Sequence, residues 1–116
     1  MITKISPIIL FVKKYSECIR FYKEVLGLSV QEGSEPTERF ATFIVGDVEF
    51  SLHAGYEGEP GGPLNLHFAT SDIEAEVARL KKLGVYFSQE IEKMPWGAYE
   101  AVIKDPDGNE VEIYQH

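Results

Sequence analysis

A single cysteine, Cys18, in a chain of 116 residues excludes an intramolecular disulfide, so packing alone must hold the fold. No apolar run approaches the roughly 20 residues that span a bilayer. Met1-Ile2-Thr3-Lys4 has no apolar export-signal core, and a cytoplasmic protein is expected. Positive charge is scarce: eleven Lys and Arg stand against nineteen Asp and Glu, a formal net charge of −8. Nucleic acid and anionic membranes are thereby poor partners, because phosphate binding needs clustered cations. Glycine-rich phosphate loops and CxxC pairs are missing. Ser51 and His53 lie on one strand without an acidic residue to orient the histidine, so no triad is expected there. What is present is ordinary for a globular domain, with 44% hydrophobic and 26% charged residues and enough length for one core.

The clearest local pattern is a hairpin near the end of the chain. Ala98 to Lys104 is rich in small, β-branched and aromatic residues, and Asp105-Pro106-Asp107-Gly108-Asn109 gathers turn formers. Glu110 to Tyr114 then alternates, with Val111 and Ile113 on one face and Glu110, Glu112 and Tyr114 on the other. A mid-strand carboxylate such as Glu112 must be solvated, paired or bound to something.

The remaining elements fall into two similar series. Ile5 to Val12 reads as a strand, followed by a helix capped by Ser16. Its apolar face is Cys18, Phe21, Tyr22, Val25 and Leu26, and Gly27 ends it. Strands follow at Leu28 to Glu32, Phe40 to Val45 and Val48 to His53, with a tight turn at Gly46-Asp47. Residues 54–63 carry glycine and proline without periodicity and read as a linker. A strand over Asn65 to Ala69 then precedes a helix capped by Ser71 or Asp72, with Ile73, Val77, Leu80 and Leu83 as its stripe and Gly84 at its end. Val85 to Glu92 and the hairpin strands complete the second series. The order βαβββ therefore occurs twice, in a first module over 1–53 and a second over 64–116, which is an internal repeat. The expected fold class is α+β, two βαβββ modules forming a curved mixed sheet with helices outside and a cleft inside.

Phe21-Tyr22-Lys23-Glu24-Val25-Leu26-Gly27-Leu28, the helix from Asp72 to Gly84, Pro95-Trp96-Gly97 and Asp105 to Glu112 occur in an order that resembles the vicinal oxygen chelate superfamily. That superfamily groups glyoxalases, extradiol dioxygenases and bleomycin- and fosfomycin-resistance proteins. The resemblance implies four metal-ligand positions, which fall here on Pro7, Ser51, Asn65 and Glu112. Only Glu112 is a ligand of the usual kind, since proline offers no side-chain donor and serine and asparagine are weak ones.

These residues lead to a metal-independent binder similar to the bleomycin-resistance branch, with no cofactor expected. Its ligand, a cationic or aromatic small molecule, would meet Ile9 and Phe11, with Trp96 and Tyr114 as flat surfaces. Ser51, His53, Asn65, His67 and Glu112 would supply polar contacts. The alternative is a metal-dependent glyoxalase-like lyase, isomerase or dioxygenase using Glu112 with His53 and His67, each of which lies two residues beyond a ligand position on the same strand face. A homodimer is expected, as in short members of this superfamily.

Overall fold

The structure, a computed structural model, describes residues 1–59, 61, 62 and 64–116. The chain divides into two compact units, Met1–Glu59 and Pro60–His116. Of the linker expected over 54–63, Pro60 and Pro63 lie outside the described residues. Each unit builds its own four-stranded mixed sheet, so the strands form two hydrogen-bonded sheets and not one. Element order and class agree with an α+β fold of two βαβββ modules.

In the first unit, β1 (Ile8–Val12) pairs in parallel with β4 (Val48–Ala54), which continues antiparallel through β3 (Phe40–Val45) to β2 (Ser29–Val30). Strand alternation sends Leu10, Val12, Ala41, Phe43, Phe50 and Leu52 to one face, where all are buried. The helix α1 (Tyr15–Arg20) and the π-helical turn Phe21–Val25 that prolongs it bring Cys18 and Tyr22 onto this face. Tyr22 meets Phe50 edge to face at 5.1 Å between ring centroids. Ser16 does not cap α1. The Cys18 N–H donates to the Lys14 carbonyl, so the first turn closes early enough to take Ser16 inside the helix, and no side chain caps its start. Gly27 does end this helix, at φ +76°, in the left-handed region that a Cβ disfavours.

The second unit repeats the plan. Its β5 (Leu66–Ala69) lies parallel to β8 (Glu110–Gln115), followed by antiparallel β7 (Tyr99–Lys104) and β6 (Phe87–Lys93). The helix α2 (Ile73–Lys82) buries Ile73, Val77 and Leu80, and the strands bury Ala101, Ile103, Val111 and Ile113. Asp72 is the cap, its carboxylate accepting from the Ala75 N–H at 3.1 Å. The turn between β7 and β8 is built around Asp105. Its Oδ1 accepts from the backbone N–H groups of Asp107 and Asn109, and Oδ2 accepts from the Asn109 side chain, each at 2.9 Å. That turn sets Lys104 opposite Glu110 and so fixes every pair along the hairpin. Among the described residues no helix is long and apolar enough to cross a membrane.

Candidate functional site

With one face of each sheet given to the core, the other carries the residues of chemical interest. On the second unit's open face, His67 of β5 stands directly opposite Glu112 of β8. Glu112 stands opposite Val102 of β7, which places Glu100, opposite Tyr114, on the same face and diagonal to Glu112. The side chains converge. His67 Nε2 contacts the Glu112 carboxylate, Asn65 donates a hydrogen bond to it, and the Glu100 carboxyl is hydrogen-bonded to it as well. Ligand atoms of His67, Glu100 and Glu112 all lie within 4.8 Å of one another, a group that could hold a metal ion. Tyr114 closes one side, its ring 5.8 Å from that of His67.

Electrostatics follow from this crowding. Burial pushes the Glu112 carboxyl above the ordinary glutamate range, and the neighbouring Glu100 pushes the same way. Charge on His67 and the hydrogen bond from Asn65 oppose the rise without cancelling it. Lys104 shares the face but stands opposite Glu110, and the ion pair Glu112 makes among the described residues is with His67.

On the first unit's open face, Ile9 lies beside Ser51 and Phe11 beside His53, while Phe40 flanks His53 from β3. The His53 ring meets Phe11 at 5.4 Å and Phe40 at 5.8 Å between centroids. Ser51 is buried and shares a 2.8 Å hydrogen bond with the Thr42 hydroxyl. Trp96 stands exposed at the tip of the β6–β7 hairpin, where Gly97 takes φ +97°. A hollow of about 280 Å³ near the start of β5 and β8 is lined by Asn65, Lys104, Glu110 and neighbouring glycines, and shares only Asn65 with the carboxylate cluster.

One ring residue, Phe40, and one acid, Glu100, were not picked out from sequence. Phe40 follows from strand alternation once β3 is paired with β4. Glu100 was legible only through the hairpin register: a five-residue turn over 105–109 pairs 104 with 110, and so 100 with 114. The four superfamily metal positions do not fit a metal here. Pro7 has no side-chain donor, and the Ser51 hydroxyl is engaged inside a buried pair.

The sequence pattern of the Glyoxalase/Bleomycin resistance protein/Dioxygenase superfamily matches residues 4–113. YwbC of Bacillus subtilis (strain 168), an uncharacterized protein, is 30% identical over 116 residues, covering 91% of this chain and 92% of its own. Among solved structures, the antibiotic binding protein TnmS3 from Streptomyces sp. CB03234 is 24% identical, with a TM-score of 0.77 over 99% of this chain and 98% of that one. Lactoylglutathione lyase from Agrobacterium tumefaciens is 20% identical, with a TM-score of 0.79 over 99% and 95%. At such identities the two structures speak for the fold alone, and one binds while the other is named for catalysis. On the strength of the matched pattern and the duplicated βαβββ module, the chain belongs to the Glyoxalase/Bleomycin resistance protein/Dioxygenase superfamily.

Proposed function

We propose that this protein captures a small, flat organic molecule without transforming it, in the manner of the bleomycin-resistance branch of its superfamily. The observation that carries this is the first unit's open face. Phe11 and Phe40 are 53% and 43% exposed, Ile9 is 39% exposed, and the His53 ring lies against both phenylalanines. Exposed aromatic side chains on a sheet face leave apolar area in water, and a planar ligand would remove it. His53 adds a polar edge within that surface. Capture of this kind needs no bond making and no metal, which agrees with the loss of donors at Pro7 and Ser51. The proposal includes a homodimer.

The test is a thermal-shift screen of aromatic and cationic compounds, antibiotics included, run with and without a chelator. A true ligand at about a hundredfold excess over its Kd stabilises the native state by about 2.7 kcal/mol, enough to move the melting temperature by several degrees. We expect such a ligand to keep its effect in chelator and to bind about two- to tenfold more weakly to Phe11→Ala, given about 0.5–1.5 kcal/mol for an aromatic contact. A screen without any shift, or a shift abolished by chelator, overturns the proposal.

A second function, a metal-dependent lyase or dioxygenase, draws on one specific observation, the convergence of His67, Glu100 and Glu112. Turnover of a candidate substrate that stops in chelator and is restored by added metal would favour it over capture.

A further inference from the structure

The superfamily's four-donor set is broken in this chain, yet three other donors gather on one face of the second unit's sheet. We infer that His67, Glu100 and Glu112 form a divalent transition-metal site contained wholly within that unit. Only Glu112 is common to this set and the superfamily's four positions. The other two come from β5 and β7, the strands that flank it on either side.

Backbone register prepares the site. His67 is directly across from Glu112 and Glu100 is diagonal to it, so three neighbouring strands present three donors to one point. Metal bonds of about 2.0–2.2 Å let two donors on one ion stand up to about 4.2 Å apart. The three ligand atoms lie within 4.8 Å of one another, so the side chains must draw closer when an ion is bound. One imidazole nitrogen with two carboxylates suits ions such as zinc, nickel, cobalt, iron or manganese.

Charge points the same way. Glu100 is 7% exposed, and its carboxyl is hydrogen-bonded to that of Glu112. Two carboxyls brought together out of water either share a proton, as the hydrogen bond between them does, or ionise together around a cation that balances a charge of −2. Glu92 stands opposite Glu100 across β6 and adds to the excess. A divalent ion balances the carboxylate pair, with neutral His67 as third ligand. The His67 side chain is 43% exposed, leaving a path for the ion and coordination positions open to water.

Ligand capture on the first unit does not require this site, so chelator separates the two proposals. The experiment uses the untagged full chain, stripped with chelator, dialysed, and titrated with Co²⁺ by calorimetry and visible absorption. We expect one Co²⁺ per chain with ligand-field bands, and binding at least about tenfold weaker in His67→Ala and in Glu100→Gln. His116→Ala should bind as the wild type does. Circular dichroism identifies any variant that misfolds; if buried Glu100→Gln does, exposed His67→Ala decides the question. Absence of saturable uptake, or uptake unchanged in folded His67→Ala, overturns the inference.

Discussion

Glu112 sits where ionisation is disfavoured, its carboxyl raised above the ordinary glutamate range. It has the partly buried surroundings of a strand centre, a carboxyl neighbour in Glu100 and an imidazole partner in His67. Its folded pKa is raised, chiefly by burial, so the folded state holds this proton over a range where the unfolded chain has released it. The sign is then fixed. Stability from this group is fully present below the ordinary glutamate value of about 4.3 and is lost as pH rises through the raised value. Glu112→Gln, which cannot ionise, should fold normally and gain stability relative to wild type as pH climbs through that window. Urea unfolding of both proteins in chelator from pH 4 to 8, with a growing difference in favour of the variant, is the expected result. A constant difference would mean that His67 and Asn65 compensate the carboxylate fully.

At the level of elements, the two helices begin by different means. Asp72 accepts from the Ala75 N–H and satisfies a donor that helix geometry leaves unpaired, whereas α1 starts at Lys14 with no side-chain cap. Asp72→Ala should therefore cost about 1 kcal/mol, within the usual 0.5–2 for such caps. Ser16→Ala, in the first turn of α1, should stay within about 0.5 kcal/mol of wild type. Equilibrium denaturation of the two variants checks both values together. Comparable losses would show that Ser16 contributes to α1 in a way its position does not suggest. The β7–β8 hairpin is pinned by another acid: Asp105 is buried and its two oxygens take three hydrogen bonds from the turn. Since this turn sets the register, it also sets whether Glu100 and His67 reach Glu112 at all.

For the molecule as a whole, two units of one plan carry unlike open faces. The first is aromatic, with Ile9, Phe11, Phe40 and His53; the second is acidic, with Glu92, Glu100, Glu110 and Glu112 around His67. The proposed capture of a flat ligand and the inferred metal site thus lie on different units and can be tested separately. Each sheet also ends on edge strands, β1 and β2 in one and β5 and β6 in the other, and the edge of a sheet is where another chain can pair. Sedimentation velocity at micromolar concentration should give a dimer, and a purely monomeric profile would remove the homodimer from the proposal.

Sequence by itself determined the duplicated element order, the strand faces and the glycine-terminated ends of the two helices. All of these are local. Alternation at period two places Val111 and Ile113 against Glu112, and Gly27 and Gly84 stop helices because a left-handed backbone is cheap only without a Cβ. The sequence also made the misfit at Pro7 and Ser51 visible, since a missing donor atom needs no structure to be noticed. Tertiary structure alone decided which side chains meet. Whether Glu100 lies beside Glu112 depends on hairpin register across five turn residues, and whether Ser51 is available depends on Thr42 of a neighbouring strand. Lateral pairing between strands joins residues distant in the chain, so no pattern along one strand contains it.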